Sequence, residues 1–116
     1  MKDTSPVETI FIVIPVLNRW EQTRTCLNAL YAGSFTRFSV IVVDHGSTDG
    51  TREGLQNTFP DVIRVQGTTD MWWSAATNAG VSRAMSLGAD AIILLNNDCN
   101  VQHDTLNMLI NLHLHH

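Results

Sequence analysis

Two short segments of this chain hold more polar chemistry than a simple connection needs. Asp44-His45-Gly46-Ser47-Thr48-Asp49-Gly50-Thr51 brings two carboxylates, an imidazole and three hydroxyls together directly after the apolar run ending in Val42-Val43. At a strand terminus, Asp44 can accept a hydrogen bond from the N–H or O–H of a nucleobase or ribose. Ser47 and Asp49 also read as ordinary caps for a following helix, a role that leaves Asp44 unexplained. The second segment, Asn96-Asn97-Asp98, follows Ala91-Ile92-Ile93-Leu94-Leu95. It offers the hard oxygen donors that Mg²⁺ or Mn²⁺ takes when it clamps phosphate oxygens and keeps several waters. One carboxylate with amides is a weak cage until a diphosphate completes it, and the same residues also suit a plain turn.

Positioning these segments requires a scaffold, and the apolar pattern supplies one. Ile10-Phe11-Ile12-Val13-Ile14 is a β-branched strand that Pro15, lacking an N–H, is expected to close. Helical spacing of Trp20, Thr23, Leu27, Leu30 and Tyr31 predicts a helix over 19–32, stopped by Gly33. Phe38 to Val43 reads as a strand covered on both faces. Thr51 to Thr58 reads as a helix weakened by Gly54, and Val62 to Gln66 as a short strand. Met71 to Leu87 reads as a long helix with Trp73, Ala76, Gly80, Ala84 and Leu87 on one stripe, its small residues allowing close approach to a sheet. Gly88 ends it, Asp90 to Leu95 forms a fourth strand, and a last helix runs from Asp104 to about Leu112.

Alternating strands and helices of this kind close into a parallel sheet through right-handed crossovers. The expected strand order 3-2-1-4 places a switch point between strands one and four, where Pro15 to Asn18 would face Asn96 to Asp98. Ligands of open α/β sheets bind outside the carboxyl ends of the strands at such a point.

The 116 residues suffice for one domain, and 44% apolar with 16% charged residues can fill a core. Residues 1–9 read as an amino-terminal tail, 10–112 as the domain and 113–116 as a carboxyl-terminal tail, whose histidines read as frayed or appended rather than metal-binding. A net charge of −4 with scattered basic residues argues against a nucleic-acid partner. No apolar stretch reaches membrane-spanning length and Met1 to Pro6 lacks a signal-peptide core, so the cytoplasm is the expected compartment. Cys26 and Cys99 form no CxxC pair and suggest neither a disulfide framework nor zinc. Neither GxGxxG nor GxxxxGK[ST] occurs, which sets aside dinucleotide-binding and P-loop readings.

Four segments together resemble the amino-terminal half of a family-2 glycosyltransferase of GT-A fold. They are Ile12 to Asn18, Val42 to Thr51, Met71 to Val81 (Met-Trp-Trp-Ser-Ala-Ala-Thr-Asn-Ala-Gly-Val) and Leu94 to Asp98, in the family's order and covering roughly 10–110. The resemblance implies a doubly wound, mostly parallel, Rossmann-like α/β sheet of about four strands with flanking helices. It implies binding of a nucleoside diphosphate sugar through Mg²⁺ or Mn²⁺ and transfer of the sugar to an acceptor. It also implies nucleotide contacts from Pro15, Val16, Asn18, Asp44, His45, Ser47 and Asn78, with Thr77 near the diphosphate or sugar. Asp98 becomes the principal metal ligand and Asn96 stands in the place of the first acid. Leu17 occupies a position where relatives commonly carry a stacking aromatic, and His45 replaces the second acid or amide of the usual pair.

Relatives carry an acceptor-binding half with a general-base carboxylate beyond the metal triplet, whereas here about eighteen residues follow Asp98. No catalytic base is assigned, since Asp104 reads as a helix cap. The expectation is a truncated enzyme, weakly active or inactive alone, with self-association through an exposed sheet edge. The alternative is a non-catalytic nucleotide-binding module or structural fragment.

Overall fold

The computed structural model describes residues 9–33, 37–68 and 73–95. Within them the chain runs β1 (Ile10–Val16), α1 (Trp20–Ala32), β2 (Ser39–Asp44), α2 (Thr51–Thr58), β3 (Ile63–Gln66), α3 (Trp73–Ser86) and β4 (Ala91–Leu94). All neighbouring strands are parallel, in the order β3-β2-β1-β4. That order was expected from the βα alternation.

Every residue of β1 is buried, because helices cover both faces of the sheet. Successive side chains alternate between faces. Ile10, Ile12, Ile14 and Val16 join Val40, Val42, Cys26, Leu27, Leu30 and Leu55 in one core beneath α1 and α2. Phe11, Val13, Ile41 and Val43 join Ala76 and Ala84 in a second core beneath α3.

Pro15 does not close β1, which continues through Pro15 opposite Val43 to Val16 opposite Asp44. The reason lies in parallel pairing. The Val13 carbonyl accepts from Leu95 N on the β4 side and the Val16 carbonyl from His45 N on the β2 side, so Pro15, like Val13, faces β4. Pairing of β1 with β4 ends at Val13 and Leu94, and the absent N–H therefore interrupts no ladder bond there.

The stripe expected along α3 is half right. Ala76 and Ala84 are fully buried while Leu87 is 39% exposed, beyond the helix. Gly80 is the close-approach point, since a Cβ there would overlap Cγ1 of Val13 and stand 2.9 Å from Cγ2 of Val43. Gly54 has a similar role: a Cβ would overlap the Trp20 indole, so the residue that weakens α2 locally admits α1 beside it. The predicted helix start at Met71 and Trp72, the Trp73 side chain, Cys99, the last helix, the carboxyl-terminal tail and the amino-terminal tail before Thr9 lie outside the described residues.

Candidate functional site

Parallel pairing delivers every strand exit to one rim. The first two exits, 17–19 after β1 and 45–50 after β2, are bound to each other. Asn18 N donates to Ser47 Oγ (2.7 Å), Thr48 N donates to Asn18 Oδ1 (2.7 Å), and Trp20 N donates to Asp49 Oδ2 (3.0 Å). Asn18 and Arg19 both adopt left-handed backbone, φ 59° and 60°, a conformation costing non-glycine residues of order 1 kcal/mol or more. The three cross-loop bonds hold it in place. Gly46 and Gly50, φ 110° and 94°, supply the turns on the other side where a Cβ would be strained.

Asp49 serves two helices at once. Its Oδ2 accepts from Trp20 N at the start of α1, and its Oδ1 accepts from Thr51 N (3.1 Å) and Thr51 Oγ1 (2.5 Å) at the start of α2. Desolvation pushes this carboxyl upward, but the bonds from Thr51 Oγ1 and from the amides outweigh it and hold the group below its ordinary value. Of the two expected caps, Asp49 is one, whereas Ser47 accepts from loop 17–19 instead.

Asp44 is 1% exposed, its side chain turned to the α1 and α2 face. Oδ1 accepts from Ser47 N (2.9 Å), and Oδ2 accepts from Arg64 Nε (3.3 Å) and Nη2 (3.2 Å). Arg64 Nη2 also donates to Gln66 Oε1, and Gln66 Nε2 to the carbonyls of Gly67 (2.6 Å) and Asp44 (3.4 Å). The sequence reading missed Arg64 and Gln66. Their signal was the alternation Ile63-Arg64-Val65-Gln66, which puts both polar residues on one face of a strand that pairs with β2.

Asn18, Asp44 and Ser47 are thus brought together in one bonded chain. Pro15 and Val16 are buried beside them, the Val16 carbonyl accepting from His45 N (3.0 Å). Asn78 lies exposed on α3. Asn96 and Asp98 lie outside the described residues, and β4, the strand that leads to them, ends beside β1 with Leu95 N on the Val13 carbonyl (3.1 Å). Among the described residues, no group of three or more His, Cys, Asp or Glu side chains is placed to hold a metal, and no helix is long and apolar enough to cross a membrane.

A polar rim at the carboxyl ends of a 3-2-1-4 sheet has known counterparts. Residues 11–116 match the family model described as glycosyl transferase family 2. The chain belongs to that family. Among similar proteins, the glycosyltransferase AglE of Haloferax volcanii is 33% identical over 102 residues, spanning 84% of this chain and 33% of AglE. The mannosyltransferase PcManGT from Pyrobaculum calidifontis, solved with GDP-Man and Mn²⁺, matches with a TM-score of 0.73 at 23% identity, over 87% of this chain and 31% of that one. TarS of S. aureus, solved with UDP-GlcNAc, matches with a TM-score of 0.68 at 18% identity, over 89% of this chain and 30% of that one. PcManGT and TarS share the GT-A fold expected for the sheet, and the family-2 chain spans about a third of the length of each of the three proteins.

Proposed function

We propose that this family-2 chain binds the nucleoside diphosphate sugar of a glycosyltransferase reaction, with Mg²⁺ or Mn²⁺, for transfer of the sugar to an acceptor. The observation that carries the proposal is the bonded rim joining Asn18, Ser47 and Asp44 beside the exit of β4. The ligands in the PcManGT and TarS structures, GDP-Man with Mn²⁺ and UDP-GlcNAc, support the same class of donor.

The chemistry of the donor set suits the metal: a carboxylate from Asp98 and a carboxamide from Asn96 are hard oxygen donors of the kind Mg²⁺ and Mn²⁺ prefer. When bound, such an ion offsets negative charge on the departing diphosphate. The chain's own residues provide a preformed surface. The strained turn at Asn18 and Arg19 is held by Ser47, Thr48 and Asp49 before any ligand arrives, which lowers the ordering cost of binding. No side chain is assigned as the general base, and we propose that these 116 residues alone transfer sugar slowly or not at all.

Calorimetry with UDP, GDP and dTDP, with and without Mn²⁺, beside a sugar-transfer assay, tests the reading. At least one nucleotide is expected to bind more tightly with Mn²⁺, with little turnover. Absence of binding by all three would overturn the donor assignment, and robust transfer would overturn the claim of low activity. Binding without metal dependence or chemistry would favour a non-catalytic module.

A further inference from the structure

The sheet has a second rim. Because α1 and α2 carry the chain back from the carboxyl ends of the strands to their amino ends, the last turns of both helices lie across the molecule from loops 17–19 and 45–50. There Tyr31 of α1 stacks with Phe38, just before β2, and with Phe59, just after α2, ring centroids 5.7 and 6.0 Å apart. Beside this stack opens a recess of about 170 Å³ lined by Tyr31, Thr58, Phe59, Pro60 and Asp61. A second, of about 160 Å³, shares Phe59 and Pro60 with it and is otherwise lined by Leu55, Gln56, Val62 and Arg64.

The first recess is short of positive charge. Asp61 makes no ion pair among the described residues, and Arg37, next to Phe38, is not paired with it either. A helix carries partial negative charge at its carboxyl end, yet neither α1 nor α2 has a basic residue in its last turn. The carbonyls of Gln56, Asn57 and Thr58 take no backbone N–H from beyond α2 among the described residues, Pro60 having none to give. The Tyr31 phenol senses the same field: burial foremost, and after it the charge of Asp61, hold it above its ordinary value of 10.0.

Acceptors therefore outnumber donors here, and the complementary group brings donors and positive charge on an apolar stem. Arginine meets that description. Its methylenes can lie against the rings while its planar fork of N–H groups reaches a carboxylate, a phenol oxygen and helix carbonyls at once, a span the compact lysine head lacks. Size agrees: a cavity of about 150 Å³ takes one benzene-sized group, whereas sites for whole small molecules run to about 300 Å³ or more. Two side-chain-sized recesses with a common wall suit a polypeptide that seats neighbouring residues, and the net charge of −4 favours a basic one. We propose that this rim is a docking surface for a separate polypeptide, which places an arginine side chain in the recess of Tyr31, Phe59 and Asp61 and a neighbouring apolar side chain in the recess of Leu55 and Val62. Docking there leaves loops 17–19 and 45–50 uncovered.

The test is an NMR titration of the full chain at constant ionic strength with N-acetyl-arginine amide, its lysine counterpart, its uncharged citrulline isostere, and the capped pentapeptide leucyl-alanyl-arginyl-alanyl-leucine. Tyr31 is the chain's single tyrosine, so its ring signals report the recess directly. The arginine probe is expected to move them together with the amides of Thr58, Phe59 and Asp61, the lysine probe to bind more weakly and citrulline to leave them unmoved. The pentapeptide should bind about tenfold tighter than the single residue, the effect of partly burying one apolar side chain. Asp61→Asn should weaken arginine binding roughly threefold, as for an exposed ion pair, and Tyr31→Phe, which keeps the ring and deletes the phenol, should weaken it less. Equal response to arginine and citrulline, or shifts that pass over Tyr31 and Asp61, would overturn the cation recess; this comparison uses wild type alone and stands whatever the variants do to the fold. Wild-type affinity in folded Asp61→Asn would overturn it too. A pentapeptide no tighter than the single residue would overturn the polypeptide and leave a site for a small organic cation. Sedimentation showing a dimer that Asp61→Asn dissociates would overturn the separate partner, by placing an arginine of a second copy in the recess.

Discussion

Arg64 sets both Nε and Nη2 against Oδ2 of Asp44, tying the outer strand β3 to the end of β2 through a carboxylate that water scarcely reaches. The Arg64 side chain is 22% exposed and the Asp44 side chain 1%. That asymmetry sets the response to mutation. Arg64→Met leaves a buried carboxylate whose remaining partner among the described residues is the Ser47 amide, and it is expected to cost about 2 kcal/mol, less than for a fully enclosed pair because water can reach the vacated side. Asp44→Asn leaves a guanidinium that can rehydrate and should cost less. Urea unfolding of both variants checks the order, and a larger loss for Asp44→Asn would contradict it.

Gly80→Ala should destabilise the protein by about 1–3 kcal/mol through overpacking, although helix propensity alone favours alanine by about 1 kcal/mol. The added Cβ would overlap Val13 Cγ1. The two positions are therefore coupled: Val13→Ala should cost less in the Gly80→Ala background than in wild type. A double-mutant cycle of unfolding free energies reads this directly.

Asp49→Ala removes the acceptor for the first amide of both α1 and α2 and should cost about 1 kcal/mol near neutral pH. The folded carboxyl titrates below its ordinary value of 3.8, so on acidification the unfolded chain takes up the proton first. The contribution is fully present well above 3.8, begins to fall as pH approaches 3.8 and is lost below the folded value. The stability gap between wild type and Asp49→Ala should accordingly narrow as pH drops from 7 to 3. A gap that widens over this range would contradict the assignment.

Asp98→Ala should abolish the gain in nucleotide affinity from Mn²⁺ while leaving metal-free binding within about twofold of wild type, because the carboxylate acts through the ion. Asp44→Ala should instead weaken binding with and without Mn²⁺, since it loosens the 45–50 loop through Ser47. Calorimetry in Mn²⁺ and in chelator separates the two. Retention of the full Mn²⁺ effect by Asp98→Ala would show that the metal is held elsewhere.

The sequence by itself determined the elements and their layering. Ile10 to Ile14, Val40 to Val43 and Ala91 to Leu94 announce buried parallel strands through unbroken apolar runs, and α2 begins and ends at Thr51 and Thr58 as expected. Alternation of these strands with helices implied the order 3-2-1-4 and gathered Asn18, Asp44 and Ser47 at one rim. Such signals are local: propensity and periodicity act over a few residues. Tertiary structure alone decided which groups meet. Arg64 finds Asp44 across twenty residues and Ser47 finds Asn18 across twenty-nine, through strand register and loop path. Pro15 stays in its strand because the neighbour it faces has finished pairing, and Gly54 and Gly80 are required by side chains from other elements. A hydrogen bond or a steric limit belongs to two residues at once, and their separation is set only when the sheet and its helices have closed.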